Sequence, residues 1–160
     1  MNSLIIEVAN RQSREFDEAR IVNTVRSIIE DHRFTQGEVS VAIVDDPEMR
    51  QLNRQYLDHD YETDVLSFVM DADDEAGLLN GQLILSFDTA VREADELGIE
   101  PFDELLLYAV HGTLHLVGYR DKEPAAAAEM RSAEKEYLAA AGVEHVWPDD
   151  EEDGGQEVAV

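Results

Sequence analysis

Two histidines four residues apart are the residues whose types and spacing could most directly do chemistry. His111 and His115 are separated by three residues, and positions i and i+4 of a helix are neighbours, with Cβ atoms roughly 5–6 Å apart. Both imidazoles can therefore reach one ion, because zinc–nitrogen bonds are about 2.0–2.1 Å long. Gly118 can end such a helix and turn the chain back, so that Asp121 faces the same ion. Three ligands leave a position open for water or substrate, as in catalytic metal sites.

The amino-acid composition limits what the metal and its chemistry can be. The chain has no cysteine, which excludes disulfides, thiolate ligands and a cysteine nucleophile. Imidazole ligands make zinc the first expectation, and the carboxylate keeps nickel, manganese and iron open. The alternative is that both histidines are core residues with hydrogen-bonded rings, but the following glycine turn and carboxylate favour a metal site.

The elements that must position these residues can be predicted from hydrophobic periodicity. A helix predicted from about residue 102 to 117 is apolar almost all round, which is typical of a buried helix. The whole chain gives the order β-α-β-α-β-β-α-α-α. We predict an α+β fold of one domain, with a mixed sheet of about four strands packed with about five helices. The domain is expected to span 1–147, and the acidic, glycine-containing segment 148–160 is expected to be a disordered tail.

The charge of the chain bears on partners and location. With 37 acidic and 12 basic residues the formal net charge is −25, which by itself argues against nucleic acid, because nucleic acid binders neutralise phosphates with Lys and Arg. The simplest interpretation is a solvated acidic surface. The N-terminal residues do not resemble a signal peptide, and no apolar stretch approaches the length of a membrane span. We therefore expect no membrane association and a cytoplasmic location.

The histidine spacing is shared with the metzincin proteases, which have the pattern H-x3-H-x2-G. Those enzymes carry a glutamate general base directly after the first histidine. Here that position is Gly112, so a metzincin-like metallopeptidase is the weaker alternative.

A second motif makes a different resemblance more specific. The helix segment reads HGTLHLVGYRD over 111–121, and Leu52-Asn53 through Thr63-Asp64-Val65-Leu66-Ser67-Phe68 precedes it. Together these segments resemble the YbeY family of bacterial rRNA-maturation endoribonucleases, over nearly the whole chain to about residue 147. The resemblance implies one zinc ion, single-stranded rRNA as substrate, and a ribosome or ribosomal protein as partner. It also implies a role in rRNA maturation and ribosome quality control.

The chain departs from the family pattern at residues that concern the site. Asp121 stands where the family has a third histidine, and Arg120 where it has an aspartate. Leu57 replaces the arginine thought to serve RNA cleavage, and leucine cannot hold a phosphate. One hypothesis is that Arg120 or Arg54 has taken over that contact.

Two residues of the second motif complete the candidate catalytic set, which is Arg120, Ser67 and Asp64. Ser67 could line the cleft, and Asp64 could either line it or only fix a turn. The other histidines of the chain, His32, His59 and His145, are predicted to lie on the surface. The main alternative function is a non-catalytic ribosome-assembly factor that retains a structural metal.

Overall fold

The computed structural model describes residues 3–57, 64–145 and 158–159 of the chain. Its elements are, in chain order, β1 (Ser3–Asn10), α1 (Glu18–Asp31), β2 (Gln36–Val44), α2 (Asp46–Leu57), β3 (Val65–Asp73), β4 (Leu78–Ser86), α3 (Phe87–Leu97), α4 (Pro101–Leu116), α5 (Pro124–Ala140) and β5 (Val158–Ala159). Four strands of eight or nine residues, the two-residue strand β5 and five helices make up this order. The predicted α+β class, with a mixed sheet of about four strands and about five helices, is confirmed.

The sheet has the strand order β1-β2-β4-β3-β5. β1 pairs with β2 and β2 with β4 in parallel, whereas β3 and β4 form an antiparallel hairpin. Gly77 lies in the hairpin turn at φ 69°, a left-handed conformation that glycine adopts without steric cost. The apolar run that begins at Leu83 indicates a strand from that residue, but β4 begins five residues earlier, at Leu78. Pairing with strands on both sides holds residues 78–82, which show no apolar alternation of their own.

The two faces of the sheet carry different helices. Successive strand residues point to opposite faces, so Val65 and Leu83 join the large core that contains α1 and α4, while Leu66 and Ile84 join a smaller cluster with Met49 of α2. The helix that carries both histidines, α4, and α2 therefore pack on opposite faces of the same strands.

The central element is α4, and the prediction that this helix is buried is confirmed. Every residue from Glu104 to Leu116 is buried. Gly112 faces the sheet, where a Cβ atom would lie 2.8 Å from Leu83 Cδ2 and 2.9 Å from Val65 Cγ1. Glycine is therefore required for α4 to pack this closely on β3 and β4. In the part of the chain that the structure describes, no helix is both long and apolar enough to cross a membrane.

Two helix caps differ by one or two residues from the sequence expectation. The pair Asp46-Pro47 is typical of a helix that begins with Asp46 as its cap, but the backbone N–H of Glu48 donates to Asp45 Oδ1 at 3.1 Å. Residue type likewise predicts Asp88 as the cap of α3, but Thr89 N–H donates to Ser86 Oγ at 3.1 Å. Asp88 instead accepts from the Asp46 backbone N–H. These expectations were wrong because several residues in each stretch have side chains able to cap.

The C-terminal part of the chain is described only at two residues. Val158 and Ala159 form β5, which pairs in parallel with Val65 and Leu66 of β3. This short strand lies within the range 148–160 that we expect to be disordered. The boundary between 147 and 148 falls outside the described residues and stays a prediction.

Candidate metal centre

The turn after α4 brings the third candidate ligand to the histidines. The N–H of Gly118 donates to the His115 carbonyl and the N–H of Tyr119 to the Leu114 carbonyl, at 3.1 and 2.9 Å. Such bonds back to the last turn are typical of helices that end at a left-handed residue, and Gly118 has φ 113°. The chain therefore reverses directly after the second histidine, and Asp121 lies against both rings.

The three predicted ligands form one cluster. Asp121 Oδ2 is 3.7 Å from His111 Nε2 and 3.5 Å from His115 Nε2. The two imidazole rings are 4.9 Å apart between centroids, and the three ligand atoms all lie within 4.8 Å of one another. The predicted convergence of His111, His115 and Asp121 is thus observed.

The hydrogen-bonding state of the rings fits a metal ion. His111 Nε2 and both ring nitrogens of His115 are buried and have no hydrogen-bond partner among the described residues. Buried polar atoms are ordinarily paired, because leaving one unsatisfied costs about 1–3 kcal/mol. The alternative that these are ordinary core histidines with satisfied rings does not account for three such atoms beside a carboxylate. Two imidazoles and one carboxylate suit zinc and also nickel, manganese and iron.

The other ring nitrogen of His111 has a partner on α5. Nδ1 of His111 donates to Glu134 Oε2, since a carboxylate can only accept, and Glu134 is 3% exposed. Burial lowers the pKa of His111, but the hydrogen bond and the charge of Glu134 outweigh it and hold the pKa above its usual value. With Nδ1 occupied in this way, Nε2 is the nitrogen that faces Asp121.

Burial acts differently on the second histidine. The pKa of His115 is lowered, first by desolvation and second by the neighbouring charge of His111. A lowered pKa favours the neutral imidazole, which is the form that binds metals.

Ser67 lies beneath the histidine helix. It is 1% exposed, and its Oγ donates to the carbonyl of Gly112 at 3.0 Å. This hydrogen bond joins β3 to α4 one residue after His111. The geometry suits a residue that positions the helix.

Asp64 stands directly before β3 and is also buried, at 6% exposed. Its Oδ1 has no hydrogen-bond partner among the described residues. Desolvation is the main reason that the pKa of Asp64 is raised to about 7, and the nearby charge of His111 limits the rise. Asp64 therefore lies within electrostatic reach of His111, and its burial favours the protonated carboxyl group more than in an ordinary aspartate.

The candidate phosphate-binding arginines lie at different places. Arg120 is exposed and directly precedes Asp121, the third candidate ligand. Arg54 is exposed in the last turn of α2, the helix on the opposite face of the sheet from α4. Leu57 is the last residue of α2, and its side chain is outside the described part of the structure.

The position that distinguishes a metzincin protease is closed to a carboxylate. Gly112 occupies it, and a Cβ atom there would meet the side chains of Leu83 and Val65, both fully buried. A glutamate would be driven into the core, so both the residue type and the packing oppose the peptidase alternative.

The burial of two side chains, those of Glu134 and His145, was not predicted from the sequence. Glu134 lies between Met130 and Leu138, four residues away on either side and both buried, and this helical spacing was the available signal that it faces inward. His145 was expected on the surface, and this was wrong: its side chain is 3% exposed and its Nε2 is 2.7 Å from Glu104 Oε1. His32 is half-buried and contacts the Ile28 carbonyl through Nδ1, and His59 lies outside the described residues.

Comparison with known proteins agrees with the fold and the motifs. The family model described as Endoribonuclease YbeY matches residues 7–142. A protein named Endoribonuclease YbeY from Rhodopirellula baltica is 43% identical over 119 residues, which cover 73% of this chain and 60% of that protein. The protein of the same name from Salinibacter ruber is 36% identical over 80% of this chain and 85% of its own length. The protein of the same name from Carboxydothermus hydrogenoformans is 36% identical over 86% of this chain and 98% of its own length.

A solved structure has a similar fold. The solution structure of TM1509 from Thermotoga maritima superposes with a TM-score of 0.58 at 25% identity, covering 86% of this chain and 88% of that protein. The family model covers far more than half of the chain, and several relatives exceed 30% identity over most of it. The chain belongs to the YbeY endoribonuclease family.

Proposed function

We propose that this protein is a metal-dependent endoribonuclease that cleaves single-stranded rRNA in rRNA maturation and ribosome quality control. The observation that carries the proposal is the cluster of His111, His115 and Asp121, whose ligand atoms lie within 4.8 Å of one another and include buried, unpartnered imidazole nitrogens. Family membership supports the RNA substrate, since the relatives are named endoribonucleases.

We propose that the ion is a single zinc held by these three side chains. A bound divalent ion polarises a phosphoryl oxygen and lowers the pKa of a coordinated water. His111 and His115 would hold the ion through Nε2, and Asp121 would add a negative charge that the family's third histidine would not. Three protein ligands leave room for the scissile phosphate.

Asp64 and Ser67 support the site from the β3 side. Asp64 can take up or release a proton near neutral pH, because its pKa is raised to about 7, and this range suits a general acid or base. Ser67 holds the Gly112 carbonyl and thereby fixes the register of α4 against β3. In this proposal Asp64 moves a proton and Ser67 positions the helix.

Arg120 is the proposed phosphate contact in place of the arginine that Leu57 replaces. It is exposed beside Asp121, where a guanidinium can approach a phosphate from solvent. Charge-assisted hydrogen bonds of this kind are worth about 1.5–3 kcal/mol, which corresponds to roughly 10- to 100-fold in rate.

The net charge of −25 shapes the proposed partners. It opposes tight binding of free RNA, because association with phosphates depends on neutralising cations. Single-stranded rRNA presented by the ribosome, or by a basic ribosomal protein, fits the charge better. Such a role belongs in the cytoplasm.

The test is cleavage of a fluorescent single-stranded RNA by the zinc-loaded protein, beside the matching duplex. We expect cleavage of the single strand only, and its loss on adding a chelator. Arg120→Ala should slow cleavage by about 10- to 100-fold, whereas Lys122→Ala, which removes an exposed charge on the other side of Asp121, should change it less than about threefold.

The arginine hypothesis and the enzymatic proposal fail separately. If Arg120→Ala and Arg54→Ala both cleave at the wild-type rate, no substitute arginine serves the site. If wild type and a variant lacking both histidines give equal turnover on every RNA, the non-catalytic assembly factor is the better function. Leu57 in place of an arginine is the observation that favours that alternative.

A further inference from the structure

We propose that Glu134, supported by Arg131, is a positioning residue that orients His111 toward the metal ion and strengthens metal binding. This inference rests on the proposed metal centre. It adds to that centre a carboxylate on α5 that is not itself one of the three predicted ligands.

The contacts form a chain from α5 to the ligand. Glu134 Oε2 accepts from His111 Nδ1, and Arg131 Nε donates to Glu134 Oε1 at 3.2 Å. Both carboxylate oxygens are therefore used, one by the ring and one by the guanidinium. The ring of His111 is held at one nitrogen while the other nitrogen, Nε2, lies 3.7 Å from Asp121 Oδ2.

Burial distinguishes Glu134 from two other glutamates of the same helix. Glu134 is 3% exposed, whereas Glu129 and Glu136 on the same helix are exposed. A buried carboxylate is costly unless it is paired and hydrogen-bonded, so a fixed partner is required. Its partner is the ring of a predicted ligand.

The physical effect on the metal follows from general ligand chemistry. A carboxylate that accepts from the remote N–H of a ligating imidazole fixes its tautomer and ring orientation and raises its basicity. Loss of such a partner typically weakens metal affinity by about 10- to 100-fold. His115 has no corresponding partner among the described residues. The ring that α5 orients is therefore that of His111.

The experiment measures the zinc affinity of the full chain by competition with a chromogenic chelator. Glu134→Gln keeps the size and one acceptor but removes the charge, and we expect zinc binding about 10- to 100-fold weaker. Glu136→Gln removes the same charge from the exposed side of α5 and should bind like wild type. Arg131→Met should weaken binding in the same direction by less than Glu134→Gln, and it provides a second test if Glu134→Gln does not fold.

Two further readouts separate positioning from a purely structural role. Cobalt loaded in place of zinc should show a shifted visible spectrum in Glu134→Gln but not in Glu136→Gln. The stabilisation of wild type by zinc, measured as the rise in melting temperature over the metal-free protein, should also shrink in Glu134→Gln.

The outcomes distinguish this inference from the proposed function. If wild type itself takes up no zinc, the metal centre fails and the inference fails with it. If wild type binds zinc and folded Glu134→Gln binds it equally tightly with the same cobalt spectrum, the centre stands and the positioning role of Glu134 is overturned. Unchanged affinity in Arg131→Met, in the absence of a folded Glu134 variant, would overturn it as well.

Discussion

Gly112→Glu, which recreates the metzincin sequence pattern after the first histidine, should strongly destabilise the folded protein. A Cβ at this position already lies within 3 Å of Leu83 and Val65 side-chain atoms, and a carboxylate beyond it would be buried without a partner. We expect a loss of unfolding free energy on the order of 4 kcal/mol or more, which is exceptional for one substitution. Gly112→Ala should cost about 1–3 kcal/mol from overpacking, in spite of alanine's higher helix propensity.

Urea unfolding followed by circular dichroism measures both effects. Ala128→Glu places the same carboxylate at an exposed position of α5 and should change stability by less than about 0.5 kcal/mol. A Gly112→Glu protein with wild-type stability would mean that this position faces open space, and the metallopeptidase alternative would then return.

Asp121→Ala should weaken zinc binding by more than about 100-fold, which exceeds the usual effect of losing a residue that only supports a ligand. The carboxylate lies 3.5–3.7 Å from the Nε2 atoms of both histidines, so its removal leaves the ion two protein ligands. Asp121→His places a competent ligand at the same position, and we expect it to retain zinc within about tenfold of wild type and to cleave RNA. Competitive chelator titration gives the affinities.

The control for this prediction is Glu123→Ala, which removes an exposed carboxylate two residues further along and should not change the affinity. If Asp121→Ala holds zinc as tightly as wild type, the third ligand is another group. The predicted H-x3-H-x2-G-x2-D set would then be wrong at its last position.

Most of what positions the site is local in sequence, which is why it could be predicted. The i, i+4 spacing of the histidines, the left-handed glycine after them and the apolar surround of the helix are properties of one continuous segment. Helical periodicity alone therefore predicts that His111 and His115 share a face, and Gly118 indicates the reversal that brings Asp121 back.

The parts that escaped prediction depend on contacts between distant segments. Glu134 is 23 residues from His111, and its helix carries other glutamates that stay in solvent. His145 pairs with Glu104, 41 residues away, and the sequence around His145 does not single it out as buried. In α4 and in α5 the available signal was an acidic residue placed at the helical spacing of buried apolar residues. Glu134 has this spacing in α5, and Glu104 has it in the apolar helix α4.

The start of β4 could not be predicted for a related reason. Residues 78–82 at the start of β4 have a mixed composition. They belong to the strand because they pair with β2 on one side and with β3 on the other. Such pairing joins segments that are far apart in the chain and leaves no periodic trace in the strand itself. The apolar residues 83–85 of the same strand show the expected signal.

The central claim is that His111, His115 and Asp121 hold a metal ion, and elemental analysis of the purified protein beside the His111→Ala/His115→Ala double variant tests it most directly. We predict about one transition-metal ion per chain in wild type and almost none in the double variant, with zinc restored to wild type on titration after chelation. Wild-type protein that contains no metal and takes up no zinc would contradict the claim, and the two histidines would then be residues of the core.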